Sequence, residues 1–226
     1  MGNLPFYIYL LFITTVLFCL FLMYRGINRS AISLIIVLTW LLVQGLIAVK
    51  GFYFRPRIEP QHFLLLLLPP MITVILICFS PAAKVFRDKC DQRWLTSVHS
   101  VRIGVECVLY LLYMQKQVPK LITLAGNNYD LLTGLTAPLI VYFGYIKKIL
   151  SNRVLLIWNF IGLCLLLNVL IEAILSAPFS FHQLARDQPN IAVFYFPFIW
   201  LPGFIVPVVL FCHLISIRKL LNGHTP

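Results

Sequence analysis

The sequence predicts an all-α, polytopic membrane protein: one domain, residues 1–226, folded as a bundle of about seven transmembrane helices, N-out and C-in. Three observations predict it. First, 61% of the 226 residues are hydrophobic and 11% charged, with a mean hydropathy of +0.93, whereas a soluble domain carries roughly 25% charged residues. Second, the apolar residues fall in continuous runs of about the 20 residues that a bilayer core requires, not in the alternation of a barrel strand. Helices, which satisfy their own backbone polar groups, are then the spanning element. Third, the basic residues behind the net charge of +11 cluster in short loops between the runs, as orientation signals do. A nucleic-acid surface would want a soluble domain, for which the runs leave no room. The expected partners are therefore the lipid bilayer and a small polar or ionic solute, with no nucleic acid and with a homo-oligomer left open.

The elements follow in order. A first helix covers about residues 5–24 and ends at the basic turn Arg25–Arg29. The run has no basic stretch ahead of it and no small-residue cleavage site, so a retained helix is expected rather than a signal peptide. A second, about 31–50, carries Trp40 and Gln44. Pro56 and Pro60 forbid a continued helix in the loop after it. A third, about 62–80, holds Pro69–Pro70 near its middle and is expected to kink. The fourth, about 95–117, follows a charged loop at 81–94 and stops near Pro119. Gly126-Asn127-Asn128 is turn chemistry. The fifth, about 131–147, contains Pro138; the sixth is about 153–175. The seventh, about 192–217, carries Pro197, Pro202, Pro207 and Gly203.

Seven crossings put the termini on opposite sides. With the N-terminus outside, the inner connections hold Arg25, Arg29, Lys84, Arg87, Lys89, Arg93, Lys147, Lys148, Arg153, Arg218 and Lys219. The outer ones hold Lys50, Arg55, Arg57, Lys116, Lys120 and Arg186. Eleven against six favours N-out and C-in by the positive-inside rule. The hairpin of the first two helices faintly echoes that of the fifth and sixth, which would suit a transporter of parallel repeats around the fourth helix.

The fourth helix carries the leading candidates. At about 100° per residue, His99, Arg102 and Glu106 fall within an arc of about 60°, and Tyr110, Tyr113 and Gln117 continue that stripe. Val101, Val105, Val108 and Leu112 form the opposite face. A charge at the bilayer centre costs about 2.5–3.5 kcal/mol on insertion scales, and intramembrane ionisable groups are functional by default. Arg102 and Glu106 are expected to pair at i, i+4. A structural pin is one reading of the stripe. The other is a polar cavity with Glu106 as proton or cation acceptor and Arg102 as anion anchor. A second, outer cluster is expected from Glu172, Asn168 and Asp130, at the depth of Asn127 and Asn128, with Gln44 and His62 in reach.

His213 lies at roughly the depth of His99, and two imidazoles could hold an iron or one metal. No HxxxH or HExxH pattern occurs, so neither metal nor cofactor is expected. Six cysteines, five of them inside apolar runs and none in a CxxC, are expected to be small buried hydrophobes.

Several families are excluded on residues: the last helix has no lysine before Lys219, as a rhodopsin needs, and no Asp lies deep in a span, as a ceramidase-type zinc hydrolase needs. The stretches HSVRIGVECVLY, NNYDLLTGLTAP and DQPNIAVFYFPFIWLPGFIVPVVLFCHL resemble a family of bacterial seven-helix membrane proteins of uncharacterised function, over roughly 95–220. The resemblance implies a multi-pass protein of the bacterial inner membrane and brings no activity with it. The functional expectation is binding and transport of a small polar or ionic solute through an interior built on the fourth helix. An enzyme acting on a lipid or isoprenoid, with Glu106 or His99 as acid/base, and a non-catalytic sensor or partner subunit are the alternatives.

Overall fold

Backbone amides that lipid cannot hydrate must close on themselves, and all regular structure among the described residues is helical. The computed structural model describes residues 4–54, 60–179, 184–185 and 187–222. Its helices are α1 (Phe6–Gly26), α2 (Ala31–Val49), α3 (Pro60–Phe79), the short α4 (Lys84–Lys89), α5 (Gln92–Val98), α6 (Val101–Met114), α7 (Asp130–Ile140), α8 (Asn152–Leu175) and α9 (Val206–Leu221). Two π-helical segments, Val141–Ile146 and Leu201–Ile205, extend α7 and precede α9. Among the described residues six helical stretches are long and apolar enough to cross a membrane: α1, α2, Gln61–Phe79, Gln92–Met114, α8 and Leu201–Leu221. Asp130–Ile146 is shorter. The chain is thus a multi-pass, all-helical membrane protein.

Helix starts are set by local chemistry. Ser30, Asp91 and Ser151 cap α2, α5 and α8, each side-chain oxygen accepting a backbone N–H of the first turn, a contact worth about 1 kcal/mol. The Asp91 amide also donates to Gly26 O at 2.8 Å, tying the foot of α5 to the end of α1.

The stretch Gln92–Met114 lies at the centre. One side packs along α1, where Val101, Val108 and Leu112 join Phe12, Val16 and Cys19 in the largest core cluster. The valine face is therefore used for packing, not for lipid. The Leu201–Leu221 stretch is the other central element: α9 meets α3, α5 and α8. α2 is peripheral, with Ile32, Ile35, Ile36, Leu42, Leu46 and Val49 all exposed, as befits a lipid-facing helix. Four cysteines, Cys19, Cys78, Cys90 and Cys212, are buried and unpaired as small hydrophobes; Cys107 and Cys164 lie exposed instead, on outer helix faces that the apolar runs alone do not distinguish from inner ones.

The seventh segment departs from the expected helix over 192–217. Ala192–Phe194 form a single 3₁₀ turn, regular winding resumes at Leu201, and α9 continues to Leu221. Proline supplies the reason, because Pro197, Pro202 and Pro207 have no N–H to give to a helix. The carbonyl of Gly203 would bond to the amide of residue 207. It accepts the Trp40 indole N–H at 2.8 Å instead, and Trp200 Nε1 donates back to Leu41 O at 2.9 Å. The two tryptophans stitch α2 to the broken helix.

Beyond α2, Tyr53 turns inward and its hydroxyl donates to Gln44 Oε1. Burial pushes the phenol up to about 12, so it stays a donor across the physiological range. His62 packs edge-on against Phe52, with ring centroids 4.6 Å apart. Gln44 and His62 are thus engaged locally and do not join Glu172.

Candidate functional site

The inward face of α5–α6 carries the site. At the junction, His99, Ser100, Arg102 and Ile103 each donate to the residue three back, at 3.1–3.2 Å. This local 3₁₀ winding is of the kind that often marks a hinge or functional point in a helix. His99, Arg102 and Glu106 all point inward, being 0%, 4% and 5% exposed.

Their partners come from other elements. Arg102 forms an ion pair with Asp130, through Nη1, and its Nη2 lies 2.8 Å from His213 Nε2. Glu106 accepts the backbone N–H of Leu124 through Oε1 and the Asn128 amide through Oε2. The expected Arg102–Glu106 pair is therefore replaced by two separate sets of contacts. The physical reason is the 122–130 segment, which runs back alongside α6 and brings a carboxylate to Arg102 and two N–H donors to Glu106. Charge-assisted bonds of this kind are about twice as strong as neutral ones. Asn128 organises the segment: Nδ2 also donates to Ile122 O at 3.1 Å, and Oδ1 accepts the Asp130 amide at 3.0 Å. An Asn two residues before a helix start is a readable Asx-turn signal, and it is the sequence feature that could have located this contact.

Arginine has donors only, so the His213 Nε2 facing Arg102 is the acceptor. Nδ1 then carries the hydrogen, and it donates to Asn159 Oδ1 at 3.0 Å, while Asn159 Nδ2 donates to Leu155 O at 2.9 Å. Every group in this chain has one consistent role. The His99 ring stacks on His213 with centroids 3.9 Å apart and 24° between planes, and meets Trp158 edge-on at 5.4 Å. Stacked rings do not converge lone pairs on one ion, and both His213 nitrogens are engaged, so this pair does not fit the metal site that two imidazoles suggest.

Among the described residues both His99 nitrogens and the buried Ser216 Oγ lack a hydrogen-bond partner, while the buried Thr96 Oγ1 and Tyr145 hydroxyl face each other. Thr96 lies one turn before His99, Ser216 one turn after His213, and Tyr145 lies close to Thr96. A polar seam thus leads from the Arg102 cluster toward the α5 end of the bundle.

On the other side, Arg102, Glu106, Asn128 and Asp130 form one wall of a cavity of about 80 Å³. The opposite walls are apolar, with Leu166, Val169 and Leu170 of α8 and Ile205 and Val209 prominent among them. Asn190, which sequence reasoning overlooked, reaches the cavity from the 187–192 segment; its Nδ2 donates to Ala173 O at 3.2 Å and its buried Oδ1 has no partner among the described residues. That segment is held over the end of α6 by Gln188 Nε2, which donates to Tyr113 O and Val118 O, and by Gln117 O, which accepts two amides.

The upper part of the stripe parts from the site. Tyr110 is about 40° further round the helix than Glu106 and is 45% exposed; Tyr113 is half-buried, contributing its carbonyl rather than its ring. Of the outer cluster, Asn168 and Asn127 lie beside Glu172, but Asp130 belongs to Arg102.

Gly162 of α8 is a point of close helix approach: a Cβ there would sit 2.7 Å from His213 Cε1 and 2.9 Å from His213 Nε2 and Thr133 Cγ2. The imidazole is locked by bonds on both sides and cannot yield cheaply. Gly162→Ala is therefore expected to displace His213 from Arg102 and to destabilise by about 1–3 kcal/mol, the usual range for overpacking. Thermal unfolding in detergent checks it, and an unchanged midpoint would show that the contact is loose.

Residues 60–221, from α3 through α9, match a family model described as Domain of unknown function (DUF8737). No curated protein and no solved structure matches the chain.

Proposed function

We infer, for a chain that belongs to the Domain of unknown function (DUF8737) family, a seven-pass transporter of the bacterial inner membrane that binds a small cationic or polar solute, or a proton, at Glu106. The observation that carries this reading is a charge count. Arg102, Asp130 and Glu106 are brought together inside an apolar bundle, and the single guanidinium is already paired with Asp130. Glu106 is held by two neutral donors and has no cation of its own among the described residues. A carboxylate so placed is compensated by taking up a proton or a cation, and residues of this kind mark ion and proton pathways in membrane proteins. The cavity borders Glu106 on one side, and the seam of His99, Thr96, Tyr145 and Ser216 gives polar atoms on the other, of the sort that ordered water satisfies in protein interiors.

The test is flux. Purified protein in vesicles carrying an internal pH dye is expected to pass protons under an imposed potassium diffusion potential, or to do so when one member of a panel of small cations and polar solutes is added outside. Folded protein that moves neither proton nor solute above empty vesicles would end the transport reading.

A second reading has one observation in its favour: most of the cavity wall is apolar, which suits an amphipathic guest such as a lipid or isoprenoid on which Glu106 would act as acid or base. One lipid species retained through purification by the wild type, and lost on Leu166→Trp, would favour it.

In the proposed orientation the chain starts outside and ends inside, and Asp130–Ile146 completes the fifth crossing. In a background without the native cysteines, Asp88→Cys is then expected to resist a membrane-impermeant maleimide in intact cells and to react once the membrane is opened. Labelling in intact cells would reverse the assignment.

A further inference from the structure

At the opposite end of α9 from its proline series, a second cavity of about 350 Å³ is lined by Lys84, Arg87, Asp88, Ile215, Arg218, Lys219 and Asn222. Its volume falls in the range of small-ligand pockets, roughly 300–1,000 Å³. Four cations face one carboxylate, so the lining carries a formal excess of three positive charges.

Three of the four cations are fixed in place by the fold. α3 ends at Phe79 with carbonyls that have no further turn to bond to. Arg87 Nη1 donates to Ile77 O at 2.8 Å and to Ser80 O at 2.6 Å, and Arg218 Nη1 donates to Cys78 O at 2.7 Å. Positive charge at a helix C-terminus is also favoured by the helix dipole. Lys219 Nζ donates to Asp88 O and Cys90 O. Each arginine thus spends one nitrogen on anchorage, and no hydrogen bond to another described side chain neutralises any of the four. Arg87 is only 5% exposed, and a buried guanidinium without a carboxylate partner is a strong demand for an anion. The geometry suits a phosphate group, whose oxygens accept from arginine forks and lysine ammonium groups together.

The surroundings indicate the source. α3 and α9 are membrane-spanning by length and apolarity, so their ends lie at headgroup depth. Phe79, Val85 and Leu221 are exposed apolar side chains on the same ends, at 61%, 65% and 64%. A basic pocket with an apolar rim at this depth is the arrangement that binds phospholipid headgroups.

We propose that the pocket between the end of α3, α4 and the end of α9 binds the phosphate of an anionic phospholipid headgroup. It is separate from the Glu106 site and does not depend on the transport reading.

The experiment uses the full chain in neutral detergent, with lipid retention measured by native mass spectrometry and stability by thermal unfolding. Phosphatidylglycerol, phosphatidylcholine and inorganic phosphate are the three probes. Phosphatidylglycerol is expected to be retained in preference to phosphatidylcholine, and the preference to weaken as salt is raised. Lys84 makes no anchoring bond to a helix carbonyl, so Lys84→Gln should fold normally and lower retention about fivefold, the ratio equivalent to about 1 kcal/mol per cation near a membrane surface. Arg218→Gln should lower it at least as far, and Lys116→Gln on an exposed loop should change nothing. Stabilisation by phosphatidylglycerol but not by millimolar phosphate supports the lipid as source. Stabilisation by phosphate alone would overturn the lipid and leave a soluble phosphate as ligand. Equal retention of both lipids, unaffected by Lys84→Gln and Arg218→Gln, would overturn the site.

Discussion

Asp130→Ala is expected to destabilise the protein in detergent by about 3–5 kcal/mol, and replacing Arg102 and Asp130 together by leucine is expected to recover most of that loss. The asymmetry follows from what each variant leaves behind. Arg102 is 4% exposed, and its only carboxylate partner among the described residues is Asp130. With Asp130 gone, the guanidinium keeps the neutral His213 Nε2 and a long contact of 3.4 Å to Gly162 O, neither of which balances its charge. Removing both ions leaves an apolar pair between α6 and α7, in surroundings that already favour leucine. Equilibrium unfolding in mixed micelles measures both variants. A loss below about 1 kcal/mol for Asp130→Ala would mean that the pair is as weakly coupled as a surface bridge. The pairing itself is tested by a control: leucine at Arg102 and Glu106 should not recover stability, since those two side chains do not neutralise each other.

That control marks where the sequence stops being informative. Continuous apolar runs carry the helices, because length and hydropathy are properties of a segment by itself. The inward direction of His99, Arg102 and Glu106 is legible for the same reason, since helical periodicity alone puts them on one face. Which groups complete them is a long-range matter. Arg102 finds Asp130 twenty-eight residues on and His213 one hundred and eleven residues on, and periodicity cannot register one helix against another. The default expectation for two opposite charges four residues apart on a helix is a mutual pair; here the 122–130 segment overrides it with better donors. Pro197, Pro202 and Pro207 were legible as individual breakers, yet where winding resumes depends on Trp40 of α2 taking up the freed Gly203 carbonyl. Leu124, whose backbone amide meets Glu106, has no signature at all, because any residue would offer the same N–H.

Glu106→Gln is expected to reduce flux in vesicles to the level of empty ones while leaving the protein folded. The amide keeps the shape of the side chain and an oxygen for the Leu124 N–H, so the bond that ties the 122–130 segment to α6 survives. Its new NH₂ group faces the Asn128 amide, which already gives Nδ2 to Ile122 O and receives the Asp130 N–H on Oδ1. One hydrogen bond is lost there, at a cost of about 1–3 kcal/mol, smaller than the loss expected from Asp130→Ala. Stability and flux therefore separate. Asp130→Ala acts mainly on the fold, by stranding a cation. Glu106→Gln removes the only one of the three charges that has no ionic partner among the described residues, and with it the site where a proton or cation would rest. If Glu106 were purely structural, the two variants would differ only in how much folded protein survives, and flux per folded molecule would be the same in both. A Glu106→Gln protein that is folded and carries wild-type flux would remove Glu106 from the pathway, and the transport reading would then need another site in the bundle.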